Sequence, residues 1–266
     1  MRKNAYLITI TIITILCIIA GTWWHVIKWG MNVISGLPFL SEMVGDDDTE
    51  SADNSYSHQG GETYDSFAAI SMDISVTDLN IQTGDKYSIS YECNREKLVP
   101  KFQLDNGTLV VTQSKARHMN FTGSTKCEIT ITVPADAILQ DLNIDGSVGD
   151  VDFSGIQTEK SNFDLSVGDV DFTDSALGEC TIDTSTGDID LENCTFDNLK
   201  IDTSIGDVDV ITAQDLGDYN IMLDTSVGEV SVNGRSHKTH YEVQGDSGKE
   251  LTVDNSTGDI SLKTKN

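Results

Sequence analysis

Apolar and polar residues alternate throughout the carboxy-terminal half of the chain. From Leu199 to Val210, for example, the apolar residues fall two apart, with acidic or hydroxyl residues between them. This period of two is that of a β-strand with one buried face. Gly206 interrupts the alternation, and glycine accepts the positive φ that a sharp turn requires. The pattern therefore predicts two short strands joined at a glycine corner.

The same phrase occurs six times between Leu142 and Leu262. Its glycines are separated by 19, 19, 19, 22 and 30 residues. The predicted corner glycines are Gly149, Gly168, Gly187, Gly206, Gly228 and Gly258. Self-similarity with a period near 20 is typical of a solenoid, in which each repeat stacks on its neighbours. We predict an all-β, β-helix-like solenoid of short parallel strands, with about 19 residues per coil, over residues 141–266.

Alignment of the copies predicts columns of equivalent side chains along the solenoid. Three apolar columns should form the core: Ile144, Phe163, Ile182, Ile201, Leu223, Val253; Val151, Val170, Ile189, Val208, Val230, Ile260; and Phe153, Phe172, Leu191, Val210, Val232, Leu262. Three acidic columns should face outward: Asp145, Asp164, Asp183, Asp202, Asp224, Asp254; Asp150, Asp169, Asp188, Asp207, Glu229, Asp259; and Asp152, Asp171, Asp190, Asp209.

The net charge of −26 is concentrated in these repeats. From Asp141 to Asn233 the chain has 22 acidic residues against Lys160 and Lys200 alone, a net −20. Such a surface repels nucleic acid and anionic headgroups. The compatible partners are a cationic peptide, a cationic surface protein or a metal ion.

Equivalent aspartates in adjacent coils would stand ~4.8 Å apart and repel one another. One hypothesis is that Ca²⁺ is held between coils, since it takes six to eight oxygen ligands. The candidate ligands are Asp145, Asp164, Asp183, Asp202, Asp150, Asp169, Asp188 and Asp207. The alternative is that aspartate after glycine favours the turn and that the outward carboxylates are simply solvated. No other cofactor is indicated.

The amino-terminal region predicts membrane attachment. Residues 6–27 contain no Asp, Glu, Lys or Arg and are long enough for a transmembrane helix. Arg2 and Lys3 precede this segment, which places residues 1–5 in the cytoplasm and the carboxy-terminal domain outside the cell, as a single-pass protein. Residues 28–66 follow as a juxtamembrane segment and an acidic, flexible stalk.

Residues 67–140 contain further alternating runs without the 19-residue period, and we predict a β-rich cap for the open end of the solenoid. Four cysteines follow the apolar segment: Cys93, Cys127, Cys180 and Cys194. Bridges from Cys93 to Cys127 and from Cys180 to Cys194 are compatible with this number, but spacing does not decide between bridges and buried thiols.

Between the last two copies lies a basic insertion, and its residues Arg235, His237, Lys238 and His240 form a candidate recognition loop. His237 and His240 have zinc-ligand spacing but lack a third ligand nearby. Clustered acids on a solenoid also suggest a glycan-active enzyme. Enzymes acting on acidic glycans need basic residues in a cleft, however, and the repeats have almost none.

The run Ile129-Thr-Ile-Thr-Val-Pro134, followed by Leu142-Asn-Ile144 and the Ser-x-Gly-Asp-Val repeats, resembles the bacterial putative-adhesin family of β-strand-repeat proteins. It is also similar to the domain found in membrane-anchored Lia-type envelope-stress proteins. The resemblance implies a β-solenoid-like fold, a cell-envelope location and no established enzymatic activity. It supplies no catalytic or binding residues.

The sequence thus predicts a membrane-anchored, extracytoplasmic β-solenoid that acts as a non-enzymatic, adhesin-like interaction module of the cell envelope, with a role in envelope stress. Two alternatives are a calcium-stabilised structural module and a glycan-active enzyme.

Overall fold

A computed structural model describes residues 57–114 and 125–264. Every described strand belongs to one compact unit, Glu50–Asn266. Within the described residues, no helix has the length and hydropathy needed to cross a membrane. The predicted transmembrane segment, residues 6–27, and the following residues up to 56 lie outside the described part of the chain.

Each coil contributes one strand to each of two sheets. The long-strand sheet contains β2 (Ala69–Val76), β9 (Asp141–Val148), β12 (Lys160–Val167), β14 (Glu179–Thr186), β16 (Asn198–Ile205), β18 (Asn220–Val227) and β22 (Glu250–Thr257). The short-strand sheet contains β3 (Asp78–Gly84), β10 (Val151–Ser154), β13 (Val170–Thr173), β15 (Ile189–Glu192), β17 (Val208–Thr212), β19 (Val230–Val232) and β23 (Ile260–Thr264). A narrow third side begins with the parallel pair β8 (Ile138–Leu139) and β11 (Gln157–Thr158).

Parallel pairing in register builds the predicted columns. Ile144 lies opposite Phe163, which lies opposite Ile182 on the next strand. The three apolar columns are buried, apart from Val232 at the end, which is partly buried. The rings of Phe153 and Phe172 stack with centroids 4.6 Å apart. The all-β solenoid predicted from the 19-residue period is therefore confirmed for the repeats.

The coils continue to the amino-terminal side of residue 141. β2 and β3 pair in parallel with β9 and β10, so residues 69–84 form a coil of the same two sheets. The next coil outward consists of β6 (Thr108–Thr112) and β7 (Cys127–Pro134). Antiparallel strands complete this end: β1 (His58–Tyr64), β4 (Tyr87–Cys93) and β5 (Lys101–Asp105), with a 3₁₀ turn, η1 (Glu96–Leu98), before β5.

The predicted flexible stalk, which ends at residue 66, is wrong for His58–Tyr64, because these residues form strand β1. Its side chains show no apolar alternation, but its backbone pairs with β4 along all seven residues. Gly60 and Gly61 permit this close approach, because a Cβ at Gly60 would lie 2.7 Å from the Tyr91 ring and one at Gly61 2.5 Å from the Ile89 carbonyl oxygen. Backbone pairing of this kind leaves no periodic signal in the sequence.

The cysteines differ from one another in state. Cys93 of β4 and Cys127 of β7 lie directly opposite each other and form a disulfide. Cys180 and Cys194 are buried free thiols, and burial raises the pKa of Cys180 to about 12 and that of Cys194 to about 11. The second compatible bridge is therefore absent, and both thiols are unreactive at neutral pH because only the thiolate is nucleophilic.

The order of the last coils is not the order of the sequence. Strands β22 and β23, which we call the interposed coil, lie between β16–β17 and the terminal coil, β18–β19. After β17 the chain rises by two coil heights, and the repeat is three residues longer than the regular 19. It then forms β20 (Arg235–Ser236) and β21 (His240–Val243), which pair antiparallel with the terminal coil, before it returns.

Engineered disulfides test this order. Asp202 lies opposite Asp254, and Asp224 lies one coil further out. Adjacent strands are ~4.8 Å apart and strands two coils apart about 9.6 Å, whereas disulfides need Cα atoms within roughly 7 Å. We expect Asp202→Cys with Asp254→Cys to crosslink under mild oxidation, and Asp202→Cys with Asp224→Cys not to. Peptide mapping by mass spectrometry identifies the bridge, and the reverse result would mean that the coils stack in sequence order.

Candidate functional site

The long-strand sheet carries one acidic column on its outer surface, which we call the outer acidic column. In spatial order its members are Asp73, Asp145, Asp164, Asp183, Asp202, Asp254 and Asp224. Asp73 and Asp224 are partly buried, and the five between them are exposed. With strands ~4.8 Å apart, this is a regular row of closely spaced negative charges.

The second acidic column lies at the glycine corners and bonds each coil to the next. Asp150 Oδ1 accepts a hydrogen bond from the backbone N–H of Asp169 at 3.0 Å, and Asp169 Oδ1 accepts one from Asp188 at 2.8 Å. The series, which we call the corner ladder, runs through Asp78, Asp150, Asp169, Asp188, Asp207, Asp259 and Glu229. A carboxylate that accepts a backbone N–H makes a charge-assisted hydrogen bond, so the aspartates of the ladder stabilise the stack. Glu229, the last member, takes part through its backbone N–H.

The corner glycines are required for two separate reasons. Gly187 has φ of +147°, a conformation that residues with a Cβ rarely adopt. A Cβ on Gly187 would also lie 1.9 Å from the carbonyl oxygen of Gly168 in the preceding coil. The sequence predicted the turn, whereas the close backbone approach between coils becomes evident only in the structure.

The third acidic column lies on the outer face of the short-strand sheet, where Asp152 and Asp190 are exposed and Asp171 and Asp209 are partly buried. Asp152, Asp171 and Asp190 occupy equivalent positions, followed by Asp209. Desolvation raises the pKa of Asp190, and the charges of Asp171 and Asp209 raise it further. The pKa of Asp152 and that of Asp171 are raised for the same two kinds of reason. This column therefore opposes folding when it is ionised.

The two strands of the basic insertion pair with the terminal coil, β20 with β19 and β21 with β18. His240 of β21 lies opposite Asp224 of β18, and its Nδ1 is 2.7 Å from Asp224 Oδ1. The ring of His237 packs edge-on against Tyr241, with centroids 4.6 Å apart. Arg235 and Lys238 are exposed. The structure thus places all four candidate recognition residues at one end of the solenoid, where recognition by them stays a prediction.

Metal binding also stays a prediction. In the two described ranges, no group of three or more His, Cys, Asp or Glu side chains is placed to hold a metal ion. The two histidines of the basic insertion have different neighbours, Tyr241 for His237 and Asp224 for His240. Of the eight candidate calcium ligands, Asp150, Asp169, Asp188 and Asp207 belong to the corner ladder. The other four belong to the outer acidic column.

An exposed apolar column went unrecognised in the sequence. Val148 is 48% exposed, Val167 47%, Ile205 54% and Val227 50%. They belong to one column, the apolar stripe, which in spatial order contains Val76, Val148, Val167, Thr186, Ile205, Thr257 and Val227. The sequence does contain a signal for this column: every corner glycine is preceded by a β-branched residue, which follows an outward-facing serine. Strict alternation would have placed this side chain in the core.

Comparison with known proteins identifies similar sequences and structures. A family model described as Toastrack DUF4097 matches residues 67–210 and, in an overlapping second match, residues 139–263. No curated protein sequence matches the chain.

Three solved structures resemble the chain along most of its length. A "putative cell adhesion protein" from Clostridium sporogenes is 16% identical, with a TM-score of 0.45, over 78% of this chain and 99% of that one. A "putative adhesin" from Bacteroides fragilis is 14% identical, with a TM-score of 0.35, over 78% and 96%. A "putative lipid binding protein" from Parabacteroides distasonis is 12% identical, with a TM-score of 0.30, over 79% and 96%. Family membership rests on the sequence match.

The third acidic column predicts an unusual pH dependence. Because the pKa values of Asp171 and Asp190 are raised in the folded protein, the folded state binds more protons than the unfolded chain at mildly acidic pH. Their unfavourable contribution is therefore full at neutral pH and is lost as the pH falls through the folded pKa towards the unfolded value of 3.8. The variant with Asp171→Asn and Asp190→Asn should be more stable than the parent at pH 7, by about 0.2–1 kcal/mol per opposed pair, and this gain should shrink near pH 4.

Urea denaturation at the two pH values measures this gain. The matched control, Asp183→Asn with Asp202→Asn, removes the same charge from the exposed outer acidic column. A gain that was equal at both pH values would contradict the assignment to the third column.

Melting temperature decides between calcium binding and solvation of the acidic columns. A calcium site would raise the melting temperature in millimolar Ca²⁺ above that in NaCl of equal ionic strength, because a ligand that binds only the folded state stabilises it. We expect equal melting in the two salts, since corner-ladder oxygens already accept backbone hydrogen bonds. EDTA with NaCl is the control for carried-over metal, and a rise specific to Ca²⁺ would establish the calcium alternative.

Proposed function

The chain belongs to the Toastrack DUF4097 family. We propose that it is a membrane-anchored, extracytoplasmic module that binds cationic partners without catalysis, in an adhesin-like role. The observation that carries the proposal is the outer acidic column, in which five exposed aspartates stand in register on adjacent strands. A rigid row of like charges attracts a polycation along its whole length.

The three acidic columns differ in their availability to a partner. Corner-ladder aspartates use one oxygen each to bond the next coil, and Asp171 and Asp209 of the third column are partly buried. The exposed members of the outer acidic column, such as Asp164 and Asp183, lie on the open face of the sheet. A partner can therefore neutralise them without disturbing the corners, and neutralisation relieves the repulsion between them.

Contacts within the repeats support a non-enzymatic role. In the repeated Asp-Thr-Ser phrase, which resembles an aspartic-protease loop, Thr184 and Thr203 point into the core and are buried. Ser247, in the protease-like Gly-Asp-Ser-Gly string, donates its hydroxyl hydrogen bond to the Asp218 carbonyl oxygen at 2.6 Å. Both resemblances to protease motifs have structural explanations.

Membrane attachment and location are part of the same proposal. Residues 6–27, which contain no Asp, Glu, Lys or Arg, would anchor the chain, and Arg2 and Lys3 would keep its amino terminus in the cytoplasm. The resemblance to membrane-anchored Lia-type proteins extends the proposal to envelope stress. Protease treatment of intact cells tests location: loss of a carboxy-terminal tag supports an external domain, and protection of the tag contradicts it.

Binding of a polylysine peptide tests the interaction. The intact chain is held in zwitterionic nanodiscs, and empty nanodiscs give the background. We expect affinity to fall steeply with NaCl because the attraction is screened, and to fall several-fold when Asp164, Asp183 and Asp202 are changed to Asn.

The matched control changes Asp65, Asp85 and Asp105 to Asn, which removes the same charge from exposed positions outside the repeats. Equal loss in both triple variants would attribute binding to net charge and not to the column. Binding that ignored salt would contradict the proposal.

A further inference from the structure

From Val148 to Val227 the apolar stripe is a continuous surface that the described residues leave exposed. Val148, Val167, Ile205 and Val227 are each about half exposed, and Thr186 and Thr257 contribute methyl groups between them. From Val76, which is partly buried, to Val227 the stripe crosses seven coils, a span of about 29 Å at ~4.8 Å per coil. Scattered exposed valines are ordinary, but a row in register marks an interaction surface.

Negative charge flanks the stripe on both sides. Asp164 of the outer acidic column precedes Val167 by three residues, and Asp169 of the corner ladder follows it by two. The same arrangement recurs around Val148 and Ile205. The complementary surface is an apolar row with cationic side chains along both of its edges. Nucleic acid, anionic lipid headgroups and a second acidic copy of this chain have the wrong charge.

The spacing of the stripe decides the conformation of its partner. An α-helix places side chains on one face every ~5.4 Å, close to the ~4.8 Å between coils, whereas an extended strand places them every ~6.7 Å. A helix 29 Å long contains about 19 residues. Its diameter of about 10–12 Å brings side chains beside its apolar face over the flanking carboxylates.

We propose that the apolar stripe binds a cationic amphipathic helix of about 20 residues lying parallel to the solenoid axis. Its apolar face covers the valines and isoleucine of the stripe, and its basic residues face the outer acidic column and the corner ladder. This proposal rests on the proposed function, since it names the partner that the acidic columns attract, and it adds a preference for amphipathic helices over other polycations.

Two peptides of identical composition test the preference on the intact chain in zwitterionic nanodiscs, with empty nanodiscs subtracted. In the first, about 18 residues of Leu and Lys have the leucines on one helical face; in the second, the leucines are spread around the helix. We expect the first to bind about tenfold more tightly, equivalent to about 1.4 kcal/mol. Both should weaken with salt.

The protein variant for this experiment changes Val148, Val167 and Ile205 to Thr. Threonine already occupies this column at Thr186 and Thr257, so the fold accommodates it. We expect the stripe variant to bind the first peptide no more tightly than the second, and to bind the second as tightly as the unmodified protein does. The control variant changes Leu104 and Ile138 to Thr. These two residues are 43% and 54% exposed and lie outside the stripe, so this variant should bind both peptides as the unmodified protein does.

The outcomes separate the two proposals. Equal, salt-sensitive binding of both peptides would support the acidic interaction surface and overturn the helix preference. Unchanged affinity of the first peptide in the stripe variant would overturn it as well. If neither peptide bound, or if binding did not depend on salt, the result would contradict the proposed function and the helix site together. The comparison of peptides on the unmodified protein stands even if the stripe variant fails to fold.

Discussion

Each of the six repeats turns at a glycine whose backbone lies against the corner of the neighbouring coil, and the rest of the solenoid depends on this contact. No side chain fits there, because a Cβ on Gly206 would meet the Gly187 carbonyl oxygen at 1.9 Å. The next residue, an aspartate, accepts the backbone N–H of the adjacent coil, as Asp188 does from Asp207 at 2.7 Å. Steric fit at the glycine and the hydrogen bond at the aspartate together set the register in which the apolar columns close.

In-register stacking places aspartates of adjacent coils next to one another, and the three acidic columns differ in how this repulsion is offset. Like charges one strand apart repel by roughly 1 kcal/mol in water, and a hydrogen bond to a charged group returns about 1.5–3 kcal/mol. Corner-ladder carboxylates receive this compensation, while the third column responds by raised pKa values at Asp152, Asp171 and Asp190. The outer acidic column has the same repeat without the corner hydrogen bonds. Its repulsion is the free energy that a cationic partner would relieve.

The sequence was sufficient for the repeat, its buried core and its acidic columns. Glycine spacing and the alternation of apolar residues predicted the solenoid, its buried columns and its acidic columns. The order of the last two coils could not be predicted, because equivalent residues such as Leu223 and Val253 fit either position. Strand β1 could not be predicted, because its backbone pairs without an apolar pattern. The free state of Cys180 and Cys194 could not be predicted either, since spacing does not reveal whether two thiols meet. Val148 and its equivalents were assigned to no column because the turn at glycine breaks the alternation there.

Amide hydrogen exchange at the corners is the most direct test of this account. The aspartates of the corner ladder are exposed, so their backbone N–H groups would exchange rapidly if nothing held them. The backbone N–H groups of Asp169, Asp188 and Asp207 each donate to an aspartate carboxylate of the preceding coil. We therefore predict that these three amides exchange as slowly as those of the central strands. Replacement of Asp169 by Ala should selectively accelerate exchange at Asp188. Rapid exchange of these amides in the unmodified protein would contradict the proposal that the corners hold the coils together.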